Sequence, residues 1–374
     1  MQTIITAEDN YKQLDGWFVA NSLETVMLVC GRSIEKQDIN GYFKNVTDRL
    51  GVRIIRFMDF APNPLYENVV EGVKKYRDEG CQGIIAVGGG SAMDVAKCIK
   101  LYSKMTGNGN EGGFLSQQIV ANSVPFLAMP TTAGTGSEAT RFAVIYYGGE
   151  KQSISDSSCI PETVLLDPGV LRTLPDYQKK ATMCDALCHG IESFWSKNRT
   201  EKSKEYSREA IQGVLTYMDG YMANTEEGNA GMFHAAHVAG KAINITQTTA
   251  GHAMCYKITS LFKVAHGHAA ILCDRVLFRW MAENTDRCMD AGYEANLKGV
   301  LDEIGQAMGC ADGKAGAEKL VEIVEKLGLV VPAATEAQFE LLKTSVNPVR
   351  LKNHPVALTE GTIDKLYHEI LREA

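Results

Sequence analysis

The run Met183-Cys184-Asp185-Ala186-Leu187-Cys188-His189-Gly190-Ile191-Glu192-Ser193 sets a carboxylate and an imidazole four residues apart. On a helix, residues i and i+4 stand one above the other on one face, so Asp185 and His189 can grip a metal ion from a single turn. Two ligands leave a divalent ion under-coordinated. The best further candidates are His252, in Gly251-His252-Ala253-Met254-Cys255-Tyr256-Lys257, and His266, in Val264-Ala265-His266-Gly267-His268. One carboxylate and three imidazoles, with a position left open for substrate, suit Fe(II), Zn(II) or a neighbouring metal such as Mn(II).

Other pairs compete on the same argument. Cys184 and Cys188 share the spacing and offer soft ligands, although among Leu187, Ile191 and Phe194 they read as small apolar core residues. His234 and His237 form another local pair on an Ala-rich, helix-like run. Spacing alone does not choose among these pairs.

The elements that must position such ligands follow from patterning. Up to about residue 175, short apolar runs alternate with helical segments, the pattern of parallel α/β structure. Thr25–Cys30 reads as a buried strand closed by Gly31-Arg32-Ser33, with a helix over Ile34–Leu50. Val52–Phe57 is a second strand, followed by a helix from Tyr66 to Glu79. A third strand, Gly83–Val87, runs straight into Gly88-Gly89-Gly90-Ser91-Ala92-Met93-Asp94 and an amphipathic helix through Val95, Cys98 and Leu101. A glycine-rich turn between strand end and helix start exposes backbone N–H groups, and the helix dipole favours a phosphate there.

The strand Val124–Met129 ends in a second such loop, Pro130-Thr131-Thr132-Ala133-Gly134-Thr135-Gly136-Ser137-Glu138. Both loops fall at the carboxyl ends of parallel strands, where a nucleotide is the natural occupant. A hairpin strand at Ala143–Tyr147 and a strand at Thr163–Leu166 complete the α/β part, and everything from about residue 175 to Ala374 reads as helices. These patterns predict an α/β dinucleotide-binding domain over residues 1–178 and an all-helical metal and catalytic domain over 179–374. A cofactor held by one against a metal held by the other would place chemistry in a cleft.

At 374 residues, with 45% hydrophobic and 22% charged residues, the chain has the composition of a soluble globular protein of two domains. A formal net charge of -7 argues against a nucleic-acid partner. Apolar runs fall short of membrane-spanning length. Ten cysteines without a CxxC pair, and no signal peptide at Met1–Glu8, predict reduced thiols in a cytoplasm.

Taken as a set, Gly88-Gly89-Gly90-Ser91, Pro130–Glu138, Asp185-x-x-x-His189, and His252 followed by His266-Gly267 resemble the iron-containing (group III) alcohol dehydrogenases, with the order kept as far as the stretch from Asn347-Pro348 to Ile370. The resemblance implies the dehydroquinate synthase-like, iron alcohol dehydrogenase fold: an α/β dinucleotide-binding domain followed by an all-helical metal domain. It implies metal ligands at Asp185, His189, His252 and His266, cofactor-phosphate contacts at Gly88, Gly89, Gly90, Ser91 and Asp94, and a second cofactor loop at Thr131, Thr132 and Thr135. A homodimer is the assembly it implies.

This sequence departs from the family pattern in three places. Many members carry a second histidine four residues after the third ligand, and here that position is Tyr256. Many NAD-users carry an acidic residue after the first strand, where Gly31-Arg32-Ser33 instead suits the 2′-phosphate of NADPH, leaving NADPH and NADH as alternatives. Arg141, Lys257 and Arg199 add cations that could orient an anionic substrate. Segments such as Ala139–Val144 and Asn244–Thr249 are similar to the phosphonoacetaldehyde reductase branch. The expected activity is therefore reduction of a small anionic aldehyde, phosphonoacetaldehyde to 2-hydroxyethylphosphonate. The alternatives are a sulfoacetaldehyde reductase forming isethionate, a general primary alcohol dehydrogenase, and a lyase related to dehydroquinate synthase.

Overall fold

The computed structural model describes residues 2–288, 291–346 and 348–374; Asn347, which opens the last stretch of the resemblance, lies outside the described residues. The chain divides into two compact units, one made of Met1–Thr132 with Gly136–Thr173, the other of Ala133–Thr135 with Leu174–Ala374.

The first unit contains β1 (Thr3–Thr6), α1 (Glu8–Ala20), β2 (Thr25–Cys30), α2 (Ile39–Leu50), β3 (Arg53–Phe57), α3 (Tyr66–Asp78), β4 (Gly83–Gly88), α4 (Gly90–Ser103) and β5 (Phe126–Pro130). The antiparallel hairpin β6 (Phe142–Tyr147) and β7 (Glu150–Ser155) follows, then β8 (Thr163–Leu166). Six strands form a parallel sheet in the order β1-β8-β5-β4-β2-β3. Its central strands are continuous apolar runs because helices cover both faces. On one side Ile84, Ala86, Phe126 and Ala128 pack against Val95 and Ile99 of α4, all 0% exposed. Burying each large side chain of this kind contributes roughly 1.5–3 kcal/mol.

Chain order reverses at β2, with β3 leaving on one side and β4 on the other. The switch point therefore lies between β2 and β4, where open α/β sheets hold ligands beyond the strands' carboxyl ends. Gly31-Arg32-Ser33 follows β2 and Gly88-Gly89-Gly90-Ser91 closes β4, so both expected cofactor turns stand at this point.

Two expectations change. The segment Ile34–Leu50 is not one helix: a short 3₁₀ turn at Arg32–Lys36 is separated from α2 by Gln37 in an extended conformation. The edge strand β1, which pairs with β8, went unread because Thr3–Thr6 is short and partly exposed.

The second unit is helical: α5 (Asp176–Trp195), α6 (Glu201–Met222), α7 (Glu226–Thr246), α8 (Ala250–Phe262), α9 (His266–Glu283), α10 (Ala291–Ala307) and α11 (Gly313–Lys326). After these come α12 (Glu336–Thr344), α13 (Pro348–Leu351) and α14 (Glu360–Ile370). A parallel ribbon of β9 (Ala333–Ala334) and β10 (Arg372–Glu373) interrupts the all-helical expectation; strands of two residues carry no readable period. Helix α5 packs against α6, α7 and α9 and is buried on all sides from Met183 to Trp195. A helix buried all round should be apolar throughout. The polar residues Asp185, His189 and Glu192 on it therefore need partners.

Candidate metal centre

Asp185 and His189 stand one turn apart on α5, His252 opens the second half-turn of α8, and His266 is the first residue of α9. Their donor atoms converge on Asp185 Oδ1, with Nε2 of His252 at 3.4 Å, of His189 at 3.8 Å and of His266 at 3.9 Å. Among the described residues, Asp185, His189 and His252 form a group of donors close enough to share one ion. The fourth arrives because α9 starts hard against α5. A Cβ on Gly267 would lie 2.0 Å from the Ala181 carbonyl oxygen and 2.6 Å from Asp185 Cβ, so glycine alone permits that approach.

The donor set fits a metal ion. Asp185 Oδ1 and His252 Nε2 are buried with no hydrogen-bond partner, a costly arrangement unless something else satisfies them. Burial alone would raise the Asp185 carboxyl, yet His189, His252 and His266 together hold it well below the usual carboxylate range. Burial pushes the His189 ring down, against the pull of Asp185, and keeps it neutral as a ligand must be. Three side chains are closed off, at 4%, 6% and 2% exposure, whereas His266 is 36% exposed. The cluster thus opens on the His266 side, and Tyr256, one turn after His252, stacks on the His266 ring there.

The rival pairs separate from this cluster. Burial drives the Cys184 and Cys188 thiols up, out of reach of the thiolate a metal needs. All ten cysteines are free. His234 is exposed and pairs with Glu209 at 2.7 Å, while His237 is buried.

Two residues that sequence reasoning overlooked support these sites. Glu192 falls on the same face of α5 as Asp185 and His189, at the i+7 and i+3 positions, and this polar stripe on a buried helix was the available signal. It accepts from the His252 ring Nδ1. In the first unit, the buried Lys97 of α4 donates to the Ser137 carbonyl at 2.7 Å, the Phe142 carbonyl at 2.7 Å and Thr140 Oγ1 at 3.1 Å. A lysine inside an amphipathic helix three residues after Asp94 was its only trace.

The glycine turn after β4 leads directly into α4, with Gly89 capping it and Gly90 as its first residue. Thr131 N–H donates to the Gly88 carbonyl at 3.0 Å, tying the two loops together at adjacent strand ends. Ser137 Oγ lies 3.5 Å from Asp94 Oδ1, and burial pushes the Asp94 carboxyl up to about 6 against the opposing charge of Lys97. Arg32 and Ser33 are exposed beyond β2. Thr132 is half-buried, and Thr135 lies in the short segment Ala133–Thr135 that belongs to the helical unit, where the backbone of Gly134 adjoins His189.

The three cations expected around a substrate lie on three different elements. Arg141 begins the hairpin, its guanidinium 5.1 Å from the Phe142 ring centre. Lys257 is half-buried on α8, five residues past His252 and so about 140° around the helix from it. Arg199 lies beyond the carboxyl end of α5, which carries the chain about 15 Å past Asp185. There burial lowers its guanidinium, with Glu303 and Glu201 opposing.

A switch-point nucleotide turn in one unit and a one-carboxylate, three-imidazole cluster in the other define a class of nucleotide- and metal-binding proteins. The sequence model of the iron-containing alcohol dehydrogenases matches residues 2–168, and that of the family's C-terminal domain matches residues 179–369. The chain belongs to the iron-containing alcohol dehydrogenase family.

It is 31% identical to an NAD-dependent methanol dehydrogenase of Bacillus methanolicus over 60% of this chain and 59% of that protein, so the match spans less than two thirds of that relative. It is 28% identical to a phosphonoacetaldehyde reductase of Streptomyces viridochromogenes over 76% of this chain and 75% of the other. A solved structure of sulfoacetaldehyde reductase from Bifidobacterium kashiwanohense with NAD+ aligns at a TM-score of 0.87 and 26% identity, covering 100% of this chain and 98% of that one. Among the described residues no helix is long and apolar enough to cross a membrane.

Proposed function

We propose that this protein is a metal-dependent reductase of small anionic aldehydes, using NADPH or NADH. The convergence of four donors around Asp185, open on the side of His266 and Tyr256, is the observation that carries the reading. The overall reaction is RCHO + NAD(P)H + H⁺ → RCH₂OH + NAD(P)⁺. Asp185, His189, His252 and His266 would hold the ion, Fe(II) by family and Zn(II) or Mn(II) as alternatives. When bound, such an ion supplies Lewis acidity to a carbonyl oxygen that gains charge as hydride arrives.

The chain's own residues set the conditions for that chemistry. Asp185 stays ionised and His189 neutral, whereas Glu192 and Asp185 outweigh burial and raise the His252 ring to about 10, so a bound ion would displace a proton from His252 alone of these three. Gly88–Ser91 and the amino terminus of α4 offer backbone N–H groups to a pyrophosphate. Lys97 keeps the second loop in place behind them. The Tyr256 hydroxyl stands on the open side and is able to donate and accept hydrogen bonds, where many relatives carry histidine.

Similarity to two relatives named for phosphonoacetaldehyde and sulfoacetaldehyde supports an anionic substrate, and Arg141 is the cation assigned to it. A neutral primary alcohol is the second reading. It is favoured by the similarity to methanol dehydrogenase and by the position of the half-buried Lys257, about 140° around α8 from His252. The test is NADPH and NADH oxidation by metal-loaded enzyme with phosphonoacetaldehyde, sulfoacetaldehyde and propanal side by side. Preference for an anionic aldehyde supports the proposal, while preference for propanal rejects it in favour of the second reading. A lyase would leave nicotinamide absorbance unchanged. Light scattering tests the homodimer proposed as the assembly.

A further inference from the structure

Around the candidate ligand His252, the hydrogen bonds of α8's first turn end on a carboxylate outside the donor set. Glu192 is 0% exposed. Its Oε2 accepts from the Thr249 backbone N–H and, at 2.7 Å, from the Thr249 hydroxyl. Its Oε1 accepts from the His252 backbone N–H at 3.0 Å and from the His252 ring Nδ1. Thr249 caps α8 without a side-chain bond to the helix, since its hydroxyl is committed to Glu192 and also receives the Trp195 indole N–H at 2.8 Å. The first N–H groups of a helix have no partners within it, and a negative charge there is favourable. Here the charge comes from α5, sixty residues away in sequence.

The fit is specific to this chain's residues. A Cβ on Gly251 would stand 2.8 Å from Glu192 Oε1 and 1.8 Å from the buried Asp274 Oδ1, so the residue beside the ligand leaves room for both carboxyl groups only as glycine. The other two candidate imidazoles have different neighbours: His266 Nδ1 lies 3.6 Å from Cys255 Sγ, and His189 stands against the Gly134 backbone.

We infer that Glu192 is a positioning residue for the metal centre: it holds the His252 ring as the Nδ1–H tautomer, so that Nε2 faces Asp185 and the ion with its lone pair. The inference rests on the metal-site reading proposed above. The ring nitrogen that bears the proton is set by the bond it makes, and a carboxylate behind a ligating histidine fixes both its orientation and its basicity. One side chain thereby couples the start of α8 to the direction of a ligand on it.

The test is Co(II) titration of the intact apo-protein, read by visible absorption and by chelator competition, for wild type, H189A, E192A and E192Q. In E192Q the amide oxygen can serve Thr249 or His252 but not both, so the side chain's bulk remains while one contact is lost. The expected result is one equivalent bound by wild type and none at that site by H189A. E192Q and E192A should bind about 10–100-fold more weakly, with a shifted Co(II) spectrum and cooperative unfolding retained. E192Q alone decides the matter should E192A fail to fold. Affinity within about twofold of wild type and an unshifted spectrum in the Glu192 variants, with H189A defective, overturns the positioning role. Wild-type binding by H189A overturns the metal-site reading itself.

Discussion

The rings of Tyr256 and His266 stack with centroids 5.3 Å apart and planes 25° apart, which makes a side chain from α8 a restraint on the most exposed of the four candidate ligands. An aromatic pair of this kind contributes about 0.5–1.5 kcal/mol. Y256A should therefore weaken metal binding by roughly twofold to tenfold, while Y256F should leave it unchanged. Chelator competition measures both. Equal binding by all three proteins would show that the stack restrains nothing.

Gly267 permits the contact between α9 and α5, so G267A should be disproportionately harmful for one added methyl. Overpacking of this type costs about 1–3 kcal/mol. The shift should carry His266 away from Asp185, giving lower stability in urea unfolding together with lost metal affinity. A stable G267A that binds metal normally would mean that α9 can move without moving the ligand.

His354 is fully buried beside Trp195, and burial pushes its ring down to about 4. The folded state keeps this ring neutral where the unfolded chain protonates it. Stability from this group is therefore complete above pH 6.5 and is lost as pH falls from 6.5 towards 4. At about 1.4 kcal/mol per pH unit, the loss approaches roughly 3 kcal/mol. H354N should flatten the decline of Tm between pH 7 and 4.5 relative to wild type. Parallel declines would assign the acid sensitivity to other groups.

R141A and R199A distinguish the substrate cations. R141A should raise KM for an anionic aldehyde about tenfold or more, the order expected when a charged hydrogen bond worth 1.5–3 kcal/mol is lost, with little change for propanal. R199A should leave both unchanged, because α5 places it beside Glu303 and Glu201. Steady-state kinetics with both substrates decides, and an R199A effect confined to the anionic aldehyde would restore that residue to the pocket.

Much of the architecture was legible because buried parallel strands are short apolar runs and helices declare their period: β2, β4 and α3 fell close to where patterning put them. The split near Gln37 was not, since one extended residue between two helical turns alters no hydrophobic period. In the site, Asp185 and His189 were visible as a local pair. Glu192 was not singled out, because its partners Thr249 and His252 are distant in sequence.

The placement of Ala133–Thr135 with the helices has a practical consequence. The helical unit is not one continuous length of chain, so cutting the gene at the second boundary would deliver it without the three residues that bring Gly134 to His189. An isolated C-terminal fragment starts with an incomplete wall around a candidate ligand. Separate expression of the two halves should need that short segment supplied on the helical side, by a linker or by circular permutation, before its histidines meet as they do in the intact protein.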